Sequence, residues 1–204
     1  MELTFTKQVQ TATIIVGVAK NVQRATVQAV EAFVPVSDFV KLGDIQTEAG
    51  TLTKIPVAHE TVKRILFIGL GSGDVSTETI RNGFGSAAKA LKESNVTIAL
   101  HTFTNDTIDA QQAAYLAAEG LVLGGYRVPN YKTTSNAQDV TLEAVTFIGE
   151  EDEAVLESFT VGRIYAEAQN EARSLVNMPP NLLTATALAD YAVDMANEFG
   201  LEVE

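Results

Sequence analysis

Apolar and polar positions alternate with a period of two over the first part of the chain. Leu3 and Phe5 stand between polar neighbours, and Ala12 to Val18 is a largely β-branched run that includes Gly17. Both segments read as strands. Val27, Val30 and Phe33 then recur at helical spacing before Pro35, and Gly50 to Ala58 alternates again through Leu52, Ile55 and Val57. That second alternation predicts a strand with one exposed face.

The middle of the chain changes period repeatedly. Arg64 to Gly71 is a short apolar strand entering a glycine turn, and Ser76 is placed to cap the helix that follows, with Glu78 in its first turn. Ile80, Phe84, Ala88 and Leu91 share one face of that helix, and Val96 to Leu100 is the next strand. A strand, a helix and a strand in this order imply parallel neighbours joined by a right-handed crossover. A second capped helix is predicted from near Asp106, with Ile108, Tyr115, Leu116, Val122 and Leu123 as its apolar side and Gly124-Gly125 as its end. Val140 to Gly149 is the last strand of the layer. The fold class is therefore α/β, a mostly parallel or mixed sheet covered by helices.

Beyond this point the period of two disappears. Glu150 to Glu153 are four acids suited to the amino terminus of a helix, which runs without interruption to about Val176. Phe159, Ile164, Ala168, Ala172 and Leu175 supply its apolar side, and Gly162 either admits a close neighbour or is merely tolerated. Such a helix of about 24 residues spans roughly 36 Å, long for one that only covers a sheet. It ends at Asn177-Met178-Pro179-Pro180, where proline lacks the N–H a helix needs. Thr184 is placed to cap a final helix bearing Leu188, Ala192, Met195 and Phe199, terminated by Gly200. Leu201 to Glu204 has the look of a strand cut off at its start.

Composition narrows the classes available. With 46% hydrophobic and 20% charged residues, the 204-residue chain is ordinary for a globular protein, and one core suffices at this length. It has no cysteine, which removes disulfides, thiolate metal sites and cysteine nucleophiles, and fits a reducing compartment. No apolar run is long enough for a membrane span, and the start lacks the pattern of a secretory signal, so a cytoplasmic protein is expected. A formal charge of −12 opposes general binding to nucleic acid or anionic membranes.

Candidate chemistry is sparse. Gly69-Leu70-Gly71-Ser72-Gly73 lies between a strand and a helix, where a dinucleotide fold places G-x-G-x-x-G. The third glycine would fall at Asp74, whose carboxylate would repel a phosphate, and a tight turn is the better reading. His59 and His101 are isolated, without zinc-ligand spacing. Ser72, His101 and Asp106 form a triad only on paper, since no nucleophile elbow accompanies them. Tyr126-Arg127 and Tyr131-Lys132 flank Pro129-Asn130, a combination equally suited to holding a partner and to an ordinary turn.

Three segments together resemble the leucyl (cytosol) aminopeptidase family. They are Ile65 to Gly71 with Ile80-Arg81, Ala118 to Arg127 with Tyr131-Lys132, and Ala172 to Thr184. The last run is similar to the family's A-R-x-L-x-N-x-P-P-N-x-x-T segment at every fixed position. Ser72-Gly73-Asp74 departs from the lysines many relatives carry there. The resemblance implies a macro-domain-like layered sheet with helices on both faces, followed by a long connecting helix. The implied divisions are an amino-terminal α/β domain at 1–152, the connecting helix at 153–177, and the start of the catalytic metallopeptidase domain at 178–204. It further implies a parent enzyme that releases amino-terminal residues from peptides, uses two divalent ions (manganese or zinc) and assembles as a hexamer. The family's metal ligands lie in a segment this chain does not contain. No residue here is therefore assigned as catalytic, cofactor-binding or metal-ligating. The alternatives are a free macro-like domain binding ADP-ribose or another nucleotide, and a DNA-binding adaptor, which the charge disfavours.

Overall fold

A computed structural model describes residues 1–21, 27–72, 75–128 and 141–203. Six strands form one sheet in the order β1-β6-β5-β2-β4-β3, comprising β1 (Glu2–Thr6), β2 (Thr13–Ala19), β3 (Leu52–Pro56), β4 (Arg64–Gly71), β5 (Asn95–Ile98) and β6 (Ala144–Ile148). Every pairing is parallel except that of the edge strand β3, which runs antiparallel to β4. The sheet is thus mixed, as the alternating sequence implied.

Side chains of successive strand residues leave the sheet on opposite sides, and both sides are covered. Ile15, Leu66 and Ile68 join one core cluster, while Ile14, Val16, Ile65 and Phe67 join another. The second cluster is roofed by residues around two short helices, α1 (Gln28–Glu31) and α2 (Val36–Leu42), among them Val27, Val30 and Val36. The first is roofed by α3 (Thr77–Ala90) and α4 (Ala110–Gly125), the crossovers from β4 to β5 and from β5 to β6. The sequence pattern anticipated a helix before Pro35 and not the one after it. α2 begins directly behind that proline, whose fixed φ starts a helix well.

The helix starts follow capping chemistry. Ser76 Oγ accepts from the Thr79 N–H at 3.1 Å, and Asp152 Oδ1 from the Ala154 and Val155 N–H groups at 3.0 and 3.3 Å. Thr184 Oγ1 accepts from the Ala187 N–H at 3.2 Å. The cap of α4 is Asp109, not Asp106, and it accepts from the Gln112 N–H at 2.8 Å. Four residues before it, Asn105 Oδ1 gathers the N–H groups of Thr107 and Ile108 into a separate turn. Residues 201–203 form no strand.

The long helix is one continuous element, α5 (Glu153–Asn177), followed by α6 (Ala185–Phe199). Its buried face differs from the sequence expectation. Val155, Phe159, Gly162 and Ala166 are buried, whereas Ile164 is 54% exposed and Ala168 and Ala172 face solvent. Phe159 meets Phe147 of β6 edge to face at 5.6 Å, and Phe147 meets Phe5 of β1 at 5.9 Å, so the helix is rooted on the sheet. The small residues then lie against α4. A Cβ at Gly162 would fall 2.5 Å from the Tyr115 carbonyl oxygen and 3.1 Å from its Cα. Gly162 therefore admits a close neighbour.

This contact makes a definite expectation. Gly162→Val should destabilise the domain by about 1–3 kcal/mol, because the obstacle is backbone and cannot turn aside. Gly125→Ala places its methyl in open space and should be neutral or slightly stabilising. Urea unfolding of the two variants beside the parent chain checks both, and equal midpoints would remove the close crossing from the account.

Candidate functional site

In an open α/β sheet the natural ligand crevice lies beyond the carboxyl ends of neighbouring strands whose connections leave in opposite directions. Here those strands are β2, which leads toward β4, and β5, which leads toward β6. A 3-10 turn, Leu100–Phe103, folds directly over this point. Ala99 N–H donates to the Ile15 carbonyl at 3.0 Å, and the Gly17 N–H donates to Thr102 Oγ1 at 2.7 Å. Thr102 in turn donates to the Ala99 carbonyl at 2.7 Å. Thr102, Leu70 and Phe103 are buried there, and a Cβ at Gly17 would meet all three residues. The chain's own turn occupies the crevice.

The glycine turn after β4 is likewise used internally. Gly69 N–H donates to the Thr51 carbonyl at 2.9 Å, Gly50 N–H returns a bond to the Gly69 carbonyl at 2.9 Å, and Gly71 N–H donates to Thr47 at 2.7 Å. Gly71 has φ +84°, which an L side chain rarely adopts. A Cβ at Gly69 would run into the Glu48 carbonyl and the Thr51 hydroxyl. The backbone approach that a pyrophosphate would require is thus taken by residues 47–51. Gly73 and Asp74 lie outside the described residues.

The paper triad does not assemble into a described relay. Ser72 is exposed at the end of β4, His101 sits on the 3-10 turn, and Asp106 lies in the turn organised by Asn105. His59 has a structural duty, its Nδ1 accepting from the Thr61 and Val62 N–H groups at 3.2 and 3.3 Å, with its ring against Phe33. Among the described residues no group of three or more His, Asp or Glu could hold a metal ion.

What the structure does bring together is the end of α4 and the end of α5. The final carbonyls of a helix have no partner within it. Here Asn170 Nδ2 donates to the Val122 carbonyl at 3.0 Å, Arg173 to Leu123 at 3.3 Å, and Arg127 to Gly124 at 3.2 Å. Two of the three donors are cations, which suit the negative end of the helix dipole. The Arg173 guanidinium also lies 4.0 Å from the centre of the Tyr126 ring and donates to Asn170 Oδ1 at 3.0 Å. The Tyr126 hydroxyl then accepts from Ser174 Oγ at 3.4 Å and from Asn177 Nδ2 at 3.1 Å.

This clasp joins two of the segments singled out in the sequence, Gly124 to Arg127 and Arg173 to Asn177. Their pairing across some fifty residues was not visible from spacing alone. A cavity of about 420 Å³ lies beside it, lined among others by Leu91, Leu121, Tyr126, Arg127, Glu167 and Asn170. Tyr131 and Lys132 lie outside the described residues. Further along α4, burial and the neighbouring Glu119 carboxylate raise the Tyr115 hydroxyl above its usual pKa. Glu119 itself pairs with Arg81 of α3 at 3.5 Å.

Known proteins place this geometry. The bottromycin maturation enzyme BotP is similar over 94% of this chain with a TM-score of 0.73 and 23% identity, and it has also been solved in complex with Mn. A mutant tomato leucine aminopeptidase is similar over 98% of the chain, with a TM-score of 0.80 and 20% identity. The cytosol aminopeptidase of Coxiella burnetii is similar over 97%, with a TM-score of 0.62 and 19% identity. At these identities the likeness concerns the fold. The chain spans 38%, 43% and 38% of the three proteins' lengths, in that order. Residues 10–135 match the N-terminal domain of the cytosol aminopeptidase family. That match takes in more than half of the sequence, and the chain belongs to the cytosol aminopeptidase family, whose N-terminal domain it carries.

Proposed function

We propose that this chain is the non-catalytic amino-terminal part of a two-metal leucyl aminopeptidase that releases amino-terminal residues from peptides. In this reading residues 1–152 are the α/β domain, 153–177 the connecting helix and 178–204 the start of the peptidase domain. Two divalent ions, manganese or zinc, would polarise the scissile carbonyl and activate water in the parent enzyme. The described residues do not offer a donor set for them, and no step of that chemistry is assigned here. A cytosolic location, suggested by the family's name, and a hexameric assembly complete the reading.

The observation that carries it is the clasp. Two of the segments resembling the family, those around Tyr126 and Arg173, meet in it and lock the end of α5 to the end of α4. Asn177, held by the Tyr126 hydroxyl, is the last residue of α5, and Met178 already has extended geometry before Pro179. The clasp therefore fixes the direction in which the chain leaves the domain. Its work is positional.

Two outcomes are expected. The 204-residue chain incubated with leucine p-nitroanilide and manganese should give no turnover above buffer, and metal-dependent turnover by this chain would overturn the reading. Titration with ADP-ribose should likewise produce no saturable heat, whereas stoichiometric binding would favour the nucleotide-binding alternative. In addition, Arg173→Ala should cost about 1 kcal/mol or less of stability, because the ring contact is solvent-exposed. The same change should speed amide exchange selectively in residues 170–177. Uniform acceleration across α5 would show that the clasp does not hold the helix end in particular.

A further inference from the structure

The clasp does not fill the cavity beside it, and the lining of that cavity has a chemistry of its own. Its volume of about 420 Å³ falls in the range of roughly 300–1,000 Å³ usual for small-molecule sites. Met1, Leu91 and Leu142 line it and rest, half-buried, on the core cluster to which Leu121, also in the lining, belongs. The floor is thus apolar. At Gly125 of α4, which borders the same space, a Cβ would meet nothing within 4 Å.

Two carboxylates, Glu93 and Glu167, stand in the walls. Glu93 is anchored, accepting from Thr13 Oγ1 at 2.8 Å and pairing with Arg64 at 3.3 Å. Glu167 pairs with Arg163, one turn earlier on α5, at 2.9 Å. Exposed pairs at this helical spacing are weak, so an incoming cation can share the Glu167 carboxylate. α3 and α4 also reach their carboxyl ends at this cavity, where a helix dipole is negative. Arg127, the basic member of the lining, lies exposed just beyond α4 and donates to the Gly124 and Tyr126 carbonyls at 3.2 Å. A phosphate entering here would meet both carboxylates, whereas an apolar group bearing an ammonium finds a match for each of its ends. We propose that the cavity binds a primary amine borne on an apolar side chain, the chemistry of a peptide's amino-terminal residue. The side chain lies among Leu91, Leu121 and Leu142, and the ammonium lies at Glu167. That this is also the substrate class of the parent enzyme rests on the function proposed above.

Leucinamide and the peptide Leu-Gly-Gly carry this group, and N-acetyl-leucinamide keeps the side chain without the charge. Each is titrated into the 204-residue chain and followed by two-dimensional amide NMR. Leucinamide should shift the Leu91, Leu121 and Leu142 amides saturably, with a Kd on the order of 1 mM, as suits so small a ligand. N-acetyl-leucinamide should bind at least about tenfold more weakly, because it lacks the charge-assisted bond. Glu167→Gln should weaken leucinamide by about tenfold and leave the acetylated compound unchanged. Gly125→Leu should fill the cavity and abolish binding. Should its urea midpoint fall, Ala88→Leu narrows the same cavity from α3. No saturable shift with leucinamide, equal affinity for the acetylated compound, or undiminished binding in the filled variant overturns the proposal. Binding of leucinamide without Leu-Gly-Gly supports the amine site and identifies its ligand as a free amine. The function reading is checked separately, by manganese-dependent cleavage of leucine p-nitroanilide by the full-length gene product. Its absence beside binding here sinks that reading and leaves the site, and cleavage without binding does the reverse.

Discussion

Helix α4 has almost no free side over its middle turns. The sheet lies beneath it, α3 and α5 flank it, and at each crossing the neighbouring backbone comes closer than a side chain would allow. A Cβ at Gly120 would strike the Arg81 carbonyl and Phe84, one at Gly124 would strike Gly85, and one at Gly162 would strike Tyr115. Such contacts gain dispersion over many atoms, and they leave no slack in the positions of the three helices. Because α4 is fixed, its last carbonyls stand at a defined place, and Asn170, Arg173 and Arg127 can all reach them. The exit of the chain at Asn177 follows from that.

The same crossings explain what the sequence showed and what it concealed. Caps and breakers act locally, so Ser76, Thr184 and the prolines after Asn177 marked helix ends well. α5 was the harder case, for it has two stripes of helical period. Of the side expected to pack, Phe159 is buried, whereas Ile164, Ala168 and Ala172 are exposed. The stripe that packs instead includes Gly162 and Ala166, because backbone proximity needs small residues and greasiness does not decide it. Periodicity finds faces and cannot choose between two of them. Asp106 and Asp109 pose a smaller version of the same problem, since either spacing suits a cap, and Asn105 had already claimed the first turn.

The glycine turn was legible in its negative aspect. A tight turn was the expected use, and residues 47–51 do fill the approach to Gly69 and Gly71. The 3-10 turn over Gly17 could not be foreseen, since nothing in Leu100–Phe103 indicates which strand end it will cover. The clasp was equally hidden. Tyr126 and Asn177 are 51 residues apart, and their meeting depends on the whole α4–α5 packing.

One consequence of the sheet order concerns synthesis. The first strand of the chain, Glu2–Thr6, pairs with the last, Ala144–Ile148, and Thr4 bonds to Thr146 across 142 residues. On a ribosome Leu3 and Phe5 emerge long before their partners exist. The domain therefore closes late: its amino terminus is secured only after β6 and the Phe159 turn of α5 have left the exit tunnel. Closing so long a loop carries an entropic cost that slows this final step. Until then Leu3 and Phe5 belong to a strand without its sheet neighbour, an unpaired edge open to the wrong partner.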